Sequence, residues 1–279
     1  MDFSLDTIST RQRGGVLFAT FKAPPMNLIG PEVVRDLVTL LDEIYRRPSY
    51  RVVVFDSADP DFLFPHVDLT KVAEFTAEAA IAGAPGDASL GMLFRKLSEA
   101  PVVTIVKLRG RARGAGSEFA LACDMRFAAR KRAILGQPEV GTGLAPGAGG
   151  IQQLARLLGR SRALEAILGS EDFDADLAER YGWINRALPD GELDGFVDRL
   201  AQRIAGFPRD GVLAAKAAVN AITVAAPDEV RADAQLFQKL LRSDAARMRA
   251  GLLFERGLQT RGPLELNLGR ALGELPPAG

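Results

Sequence analysis

Two glutamates, Glu118 and Glu139, stand in separate glycine-rich segments, GRARGAGSEFALACD (110–124) and GQPEVGTGLAPGAGG (136–150). A carboxyl group can take or give a proton near neutral pH when its surroundings tune it. Glycine lets backbone N–H groups approach a ligand closely. Two carboxylates beside such N–H groups would make an acid–base site that needs no metal, thiol or histidine. Each glutamate also has a plain reading. Glu118 falls in the first turn of an expected helix, where an acid is favoured anyway. Glu139 follows Pro138 on an expected loop leaving a strand, where exposed glutamates are common.

Composition removes most other chemistries. The 279 residues include one histidine, His66, and one cysteine, Cys123. A zinc site built from Cys and His within one chain is therefore excluded, and so is an internal disulfide. A lone cysteine fits a reducing compartment, and a cytoplasmic location is the expectation. The 35 basic and 35 acidic residues balance, so no large net field draws the chain onto nucleic acid or a membrane surface. The opening MDFSLDTISTRQRGG lacks the apolar core of a signal peptide, and no run of about 18 apolar residues could span a bilayer. The length suits a large core near the upper size of one domain.

The elements that would position the glutamates follow from hydrophobic spacing. GVLFATF (15–21) and RVVVFD (51–56) read as short buried strands. Between them, Val34, Leu37, Leu41 and Ile44 recur at helical spacing, and Pro31 suits the first turn. Strand, helix, strand implies a parallel connection. PVVTIVKL (101–108) is continuously apolar, as a strand covered on both faces would be. It feeds GRARGAG, then a helical SEFALACD, then a strand at MRFAA (125–129). After Gly150 the pattern is helical: IQQLARLLG, SRALEAILG, DADLAERYG and ELDGFVDRLAQRIAG. GFPRDG (206–211) looks like a linker, and AAKAAVNAI, EVRADAQLFQKLLRS and DAARMRAGLLFERG beyond it are helical. The expectation is an α/β core over 1–205 and a helical region over 206–279 that covers it. The stretch 75–91 suits a lid or a tolerant surface loop, and the tail GELPPAG should fray.

A strand ending in a glycine loop that opens a helix leaves free N–H groups and partial positive charge, which suits a developing oxyanion. GTG (141–143) begins like a dinucleotide fingerprint, but Pro146 stands where the third glycine should be. In FLFPHVDL (62–69), Asp68 is placed to cap a helix beginning at Leu69. His66 invites a triad with Ser117 and an aspartate. That serine lacks the hydrolase elbow, because Ala115 and Phe119 occupy the glycine positions.

The order of these segments resembles the enoyl-CoA hydratase/isomerase (crotonase) family. The likeness runs from about Gly15 to Leu188 and is strongest in PVVTIVKLRGRARGAGSEFALACDMRFAA, GQPEVGTGLAPGAGGIQQLARLLG and AERYGWINRALPDGEL. It implies an α/β spiral of ββα units with a helical C-terminal region that assembles as a trimer or dimer of trimers. It implies an acyl-CoA thioester as substrate and no separate cofactor, coenzyme A being part of the substrate. By position, the family's two oxyanion N–H donors fall on Val67 and Ala115. Pro65 could not donate, having no N–H. The two glutamates that handle water in hydratases fall on Glu118 and Glu139, with Glu139 expected to protonate C2 and Glu118 to activate water. Gly147 matches the N–H that helps hold the water, and Gly114 and His66 are expected with it to position water or substrate. The backbone around Asn27, Leu28 and Pro65, with Asp68, matches the part that cradles CoA. The chain departs from the family at PHVD, where small residues ending Gly-Ala-Asp are usual, and at Ala115, where glycine is usual. His66 therefore either lines the acyl path or points away. Hydration is the leading expectation. Isomerase or hydratase-lyase chemistry on the same site is the alternative, and a catalytically weak CoA-thioester binder or assembly partner is the rival of another class.

Overall fold

The computed structural model describes residues 5–80 and 89–277. Residues 81–88 of the 75–91 stretch, and the last two residues of the tail, lie outside these. The chain opens with an antiparallel hairpin of β1 (Ile8–Arg13) and β2 (Val16–Phe21), and α1 (Pro31–Arg46) crosses to β3 (Val52–Ser57), which runs parallel to β2. Pro31 opens α1, and Val34, Leu37, Leu41 and Ile44 are all buried, as their spacing requires.

A motif then repeats. A long strand is followed by a three-residue strand and then by helix. β3 leads to β4 (Phe62–Phe64), α2 (Val72–Ala80) and α3 (Leu90–Ser98). β5 (Val103–Leu108) leads to β6 (Arg111–Arg113) and α4 (Ala115–Ala122). β7 (Met125–Ala129) leads to β8 (Ile134–Gly136), a 3-10 turn at Val140–Thr142, and α5 (Gly150–Leu158). The chain continues through α6 (Arg160–Gly169), β9 (Asp172–Asp174), α7 (Ala175–Tyr181), β10 (Arg186–Leu188) and α8 (Asp190–Ala205). Among the described residues the strands form two sheets, ordered β1-β2-β3-β5-β7-β10 and β4-β6-β8-β9. This is the expected ββα spiral. The PVVTIVKL strand is central, packed on both faces, with Ile105 and Val106 wholly buried.

Five helices complete the described chain: α9 (Arg209–Thr223), α10 (Pro227–Leu241), α11 (Asp244–Glu255), α12 (Pro263–Leu266) and α13 (Leu268–Gly273). The break between α8 and α9 is shorter than the GFPRDG reading, because Arg209 already begins α9. Asp68 does not cap a helix at Leu69. Its Oδ1 accepts from the Thr70 N–H and hydroxyl in a turn, while the Leu69 N–H is taken by Gln259 Oε1 at 2.8 Å, so α2 starts only at Val72.

Phe119 on α4 lies at the centre of an aromatic cluster, with ring centroids 5.2–5.8 Å from Phe21, Phe55, Phe64 and Phe94. The edge-on geometry adds about 0.5–1.5 kcal/mol per pair beyond burial. This cluster pins α4 to the main sheet and so fixes the direction of its neighbour, Glu118.

Candidate active site

β4, β6 and β8 run parallel in the second sheet, with Phe64 beside Ala112 and Arg113 beside Gly136. Parallel strands deliver their carboxyl ends to one edge, where open α/β sheets bind ligands. Residues 65–67, 114–118 and 137–139 therefore emerge side by side. Parts of all three segments line a cavity of about 530 Å³ whose wall includes His66, Val67, Ala115, Glu118, Glu139 and Gly147.

Two residues of this wall, Val67 and Ala115, carry backbone N–H groups that can serve the space. Ile29 pairs with the loop after β4: its N–H donates to the His66 carbonyl, and its carbonyl accepts from the Asp68 N–H, both at 3.0 Å. In a trans peptide the N–H of Val67 points opposite the carbonyl of His66. It is therefore turned away from Ile29. Ala115 is the first residue of α4, where N–H groups have no intrahelical acceptor. Among the described residues neither N–H has a protein acceptor. The two loops can approach because residue 116 is glycine. A Cβ there would lie 2.3 Å from the Phe64 carbonyl oxygen.

The carboxylates are both buried, at 3 % exposure for Glu118 and 8 % for Glu139. The exposed-loop reading of Glu139 is thereby corrected: it leaves β8 directly into the interior. Glu118 Oε1 accepts the N–H groups of Ala148 and Gly150, each at 2.8 Å. Gly149, with φ +100°, turns the chain so that both N–H groups at the start of α5 point at one oxygen. Glu139 Oε2 accepts from Gln137 Nε2 at 3.2 Å.

Burial pushes the Glu118 carboxyl up to about 7, against the two N–H bonds, which favour its charge; the nearby Asp233 carboxylate adds to the rise. Burial also raises Glu139 well above the usual carboxylate range. The charge of Glu118 raises it further, and the Gln137 bond only partly opposes this. The two groups are thus unequal. Glu118, with two N–H donors on one oxygen, is the better placed of the two to carry charge, and Glu139, with the single Gln137 donor, the better placed to hold a proton.

Gly147 is in the cavity wall, where the absence of a side chain admits Phe237 from α10; a Cβ would lie 2.5 Å from the Phe237 Cβ. Gly114, with φ +51°, adjoins both Glu139 and His66. His66 does line the cavity, but its nitrogens are engaged with the Val67 carbonyl and Glu265. A Ser117–His66 triad does not form: both His66 nitrogens are engaged elsewhere, and the Ser117 hydroxyl accepts the Trp183 indole N–H at 3.2 Å. Asn27, Leu28, Pro65 and Asp68 are not in the cavity wall. The Asn27 side chain ties its loop to the end of β3, accepting from the Ala23 N–H and donating to the Ser57 hydroxyl. The Ile29–Val67 bridge nevertheless sets 27–28 and 65–68 beside one another.

Sequence reasoning missed Gln137, the Ala148 and Gly150 donors, Phe237 and Glu265. The glycines of PGAGG signalled close approach, though not to which group. Nothing in the sequence around Glu265, near the C-terminus, pointed to His66.

A family model described as enoyl-CoA hydratase/isomerase matches residues 11–258. A short-chain-enoyl-CoA hydratase from Clostridium acetobutylicum is 30 % identical over 220 residues, which is 77 % of this chain and 82 % of that one. A crotonyl-CoA hydratase from Syntrophomonas wolfei is 31 % identical over 196 residues, 70 % of this chain and 74 % of its own. Among solved structures, a provisionally assigned enoyl-CoA hydratase from Streptomyces avermitilis superposes with a TM-score of 0.98 at 68 % identity, covering 99 % of this chain and 100 % of that one.

Proposed function

The chain belongs to the enoyl-CoA hydratase/isomerase family, and from that premise we propose that its cavity adds water across the 2,3 double bond of an enoyl-CoA thioester. The carrying observation is the unequal pair Glu118 and Glu139, both in the wall of the cavity that Val67 and Ala115 also line.

The thioester oxygen accepts from the Val67 and Ala115 N–H groups, which draws electron density from C3. Ionised Glu118 removes a proton from water, and the water oxygen bonds to C3. The C2–C3 π electrons move toward the carbonyl, giving an enolate whose oxygen charge the two N–H groups stabilise. Each donor is worth about 2.7–4 kcal/mol in such a site. As the carbonyl re-forms, Glu139 gives its proton to C2. One proton enters Glu118 and one leaves Glu139, so proton exchange with solvent resets the pair. The Gly147 N–H helps orient the water, and Gly114 admits Glu139 to the reacting carbon.

The protein supplies both proton transfers and the oxyanion donors, so the reading needs no cofactor beyond the coenzyme A of the substrate. The adjoining segments at Asn27–Leu28 and Pro65–Asp68 take the CoA portion, supported by the bridge that joins them. Self-association to a trimer or dimer of trimers is supported by α9, which has no buried residue and exposes Val219 and Ile222. A cytoplasmic location accords with the lone, buried Cys123. Among the described residues no helix is long and apolar enough to cross a membrane.

The test is loss of conjugated enoyl-thioester absorbance on adding enzyme to 2-enoyl-CoAs of increasing chain length. Turnover of at least one substrate, abolished by Glu118→Gln, supports hydration. Tight binding of every substrate with no turnover supports the non-catalytic reading instead.

A further inference from the structure

The hydration steps leave the His66 ring unused. Its Nδ1 lies 2.7 Å from the Val67 carbonyl oxygen, and its Nε2 lies 3.0 and 3.2 Å from the two carboxylate oxygens of Glu265. A carbonyl oxygen only accepts, so Nδ1 carries a proton. Glu265, wholly buried on α12, is held as a carboxylate. Burial pushes it up, but the Gln259 N–H at 2.6 Å and the nearby Arg113, both independent of the ring, favour its charged form. Nε2 therefore donates as well, and a ring that donates at both nitrogens is an imidazolium.

Arg113 holds the backbone of Glu265 in place. Also wholly buried, it grips Asp172 through two bonds of 2.6 and 2.7 Å and donates to the Glu265 backbone carbonyl at 2.6 Å.

The placement gives this cation a role. His66 immediately precedes Val67. The His66 carbonyl is held by the Ile29 N–H, and the Val67 carbonyl is held by the His66 ring. The peptide that presents the Val67 N–H is thus fixed at both ends. The C-terminal segment secures the same loop through Gln259, which accepts from the Leu69 N–H and donates to Asp68, both at 2.8 Å.

We propose that His66 and Glu265 form a buried imidazolium–carboxylate pair that positions the Val67 oxyanion donor and holds a fixed positive charge beside the thioester oxygen. His66 is a positioning residue here, and Glu265 acts through it. The catalytic consequence rests on the hydration reading; the charge state of the ring does not.

His66 is the only histidine in the chain. Untagged enzyme labelled with 15N-histidine therefore gives one imidazole to observe by NMR. Without substrate at pH 7.5, both ring nitrogens should be protonated, with the shifts of an imidazolium. A neutral tautomer would overturn the proposal even if the enzyme hydrates enoyl-CoA. Glu265→Gln should convert the ring to a neutral tautomer and lower kcat about 10- to 100-fold with KM changed less than about two-fold. His66→Gln should show the same kcat-dominated loss. Unchanged kcat in either folded variant also overturns it. If neither variant folds, the wild-type spectrum still decides the charge. An imidazolium signal in an enzyme that turns over no substrate would sink the hydration reading while leaving the ion pair standing.

Discussion

A Cβ at Gly114 would lie 2.8 Å from Oε1 of Glu139. The converse holds across the cavity, where a Cβ at Gly150 would lie 2.8 Å from Oε1 of Glu118. Each glycine-rich segment thus makes room for the carboxylate carried by the other. The arrangement explains why both segments are needed to build one site, and it makes the glycines as testable as the acids.

Gly150→Ala isolates this close approach, because Gly150 begins a helix at a φ outside the left-handed region. The variant should fold, with unchanged far-UV circular dichroism, and lose about 10- to 100-fold in kcat as Glu118 is displaced. Gly114→Ala adds backbone strain at φ +51°, which costs roughly 1–2 kcal/mol, so both activity and thermal stability should fall. Wild-type kcat in Gly150→Ala would show that Glu118 is not held where the reaction needs it.

Replacing either acid should lower turnover by orders of magnitude without unfolding the protein, but the two variants should differ in one respect. In the proposed reaction run in reverse, Glu139 takes the C2 proton. Glu118→Gln should therefore still exchange the C2 hydrogen of a 3-hydroxyacyl-CoA with deuterated solvent, and Glu139→Gln should not. The opposite pattern by mass spectrometry would reverse the two roles.

The proposed mechanism requires Glu118 ionised and Glu139 protonated. The kcat/KM profile should rise with pH through about 7 as Glu118 loses its proton, and fall at higher pH as Glu139 ionises. The carboxyls interact, so the two limbs report the pair and not either residue alone. A profile flat between pH 5 and 9 would contradict the assignment of both groups.

The same burial should cost stability. Glu118 is raised from 4.5 to about 7 on folding, so the folded state binds its proton more tightly than the unfolded chain. Its contribution is fully present below about pH 4.5 and is lost as pH rises through about 7. Glu118→Gln, which removes the charge, should melt several degrees above wild type at pH 8, from a gain of about 1–3 kcal/mol, and the difference should shrink toward pH 5. Calorimetry across that range checks the sign. A variant that melts lower at pH 8 would mean that the Ala148 and Gly150 bonds outweigh desolvation.

Much of this was legible in residue order because it depends on local pattern. Continuous apolar runs marked β2, β3 and β5, the spacing of Val34, Leu37, Leu41 and Ile44 marked α1, and glycines beside an acid marked backbone that approaches something closely. The family likeness rests on the same segments. What the order of residues did not reveal was β4, β6 and β8. Three residues are too few to show a period of two, and these are the strands that bring Val67, Ala115 and Glu139 to one edge. Nor did it reveal that His66 meets Glu265, 199 positions away, or that two apparently ordinary acids are buried in one cavity. Residue type made proton transfer available. Only the tertiary structure decided which glutamate is the better placed to hold a proton, because that depends on desolvation and on the N–H groups and charges folded around each one.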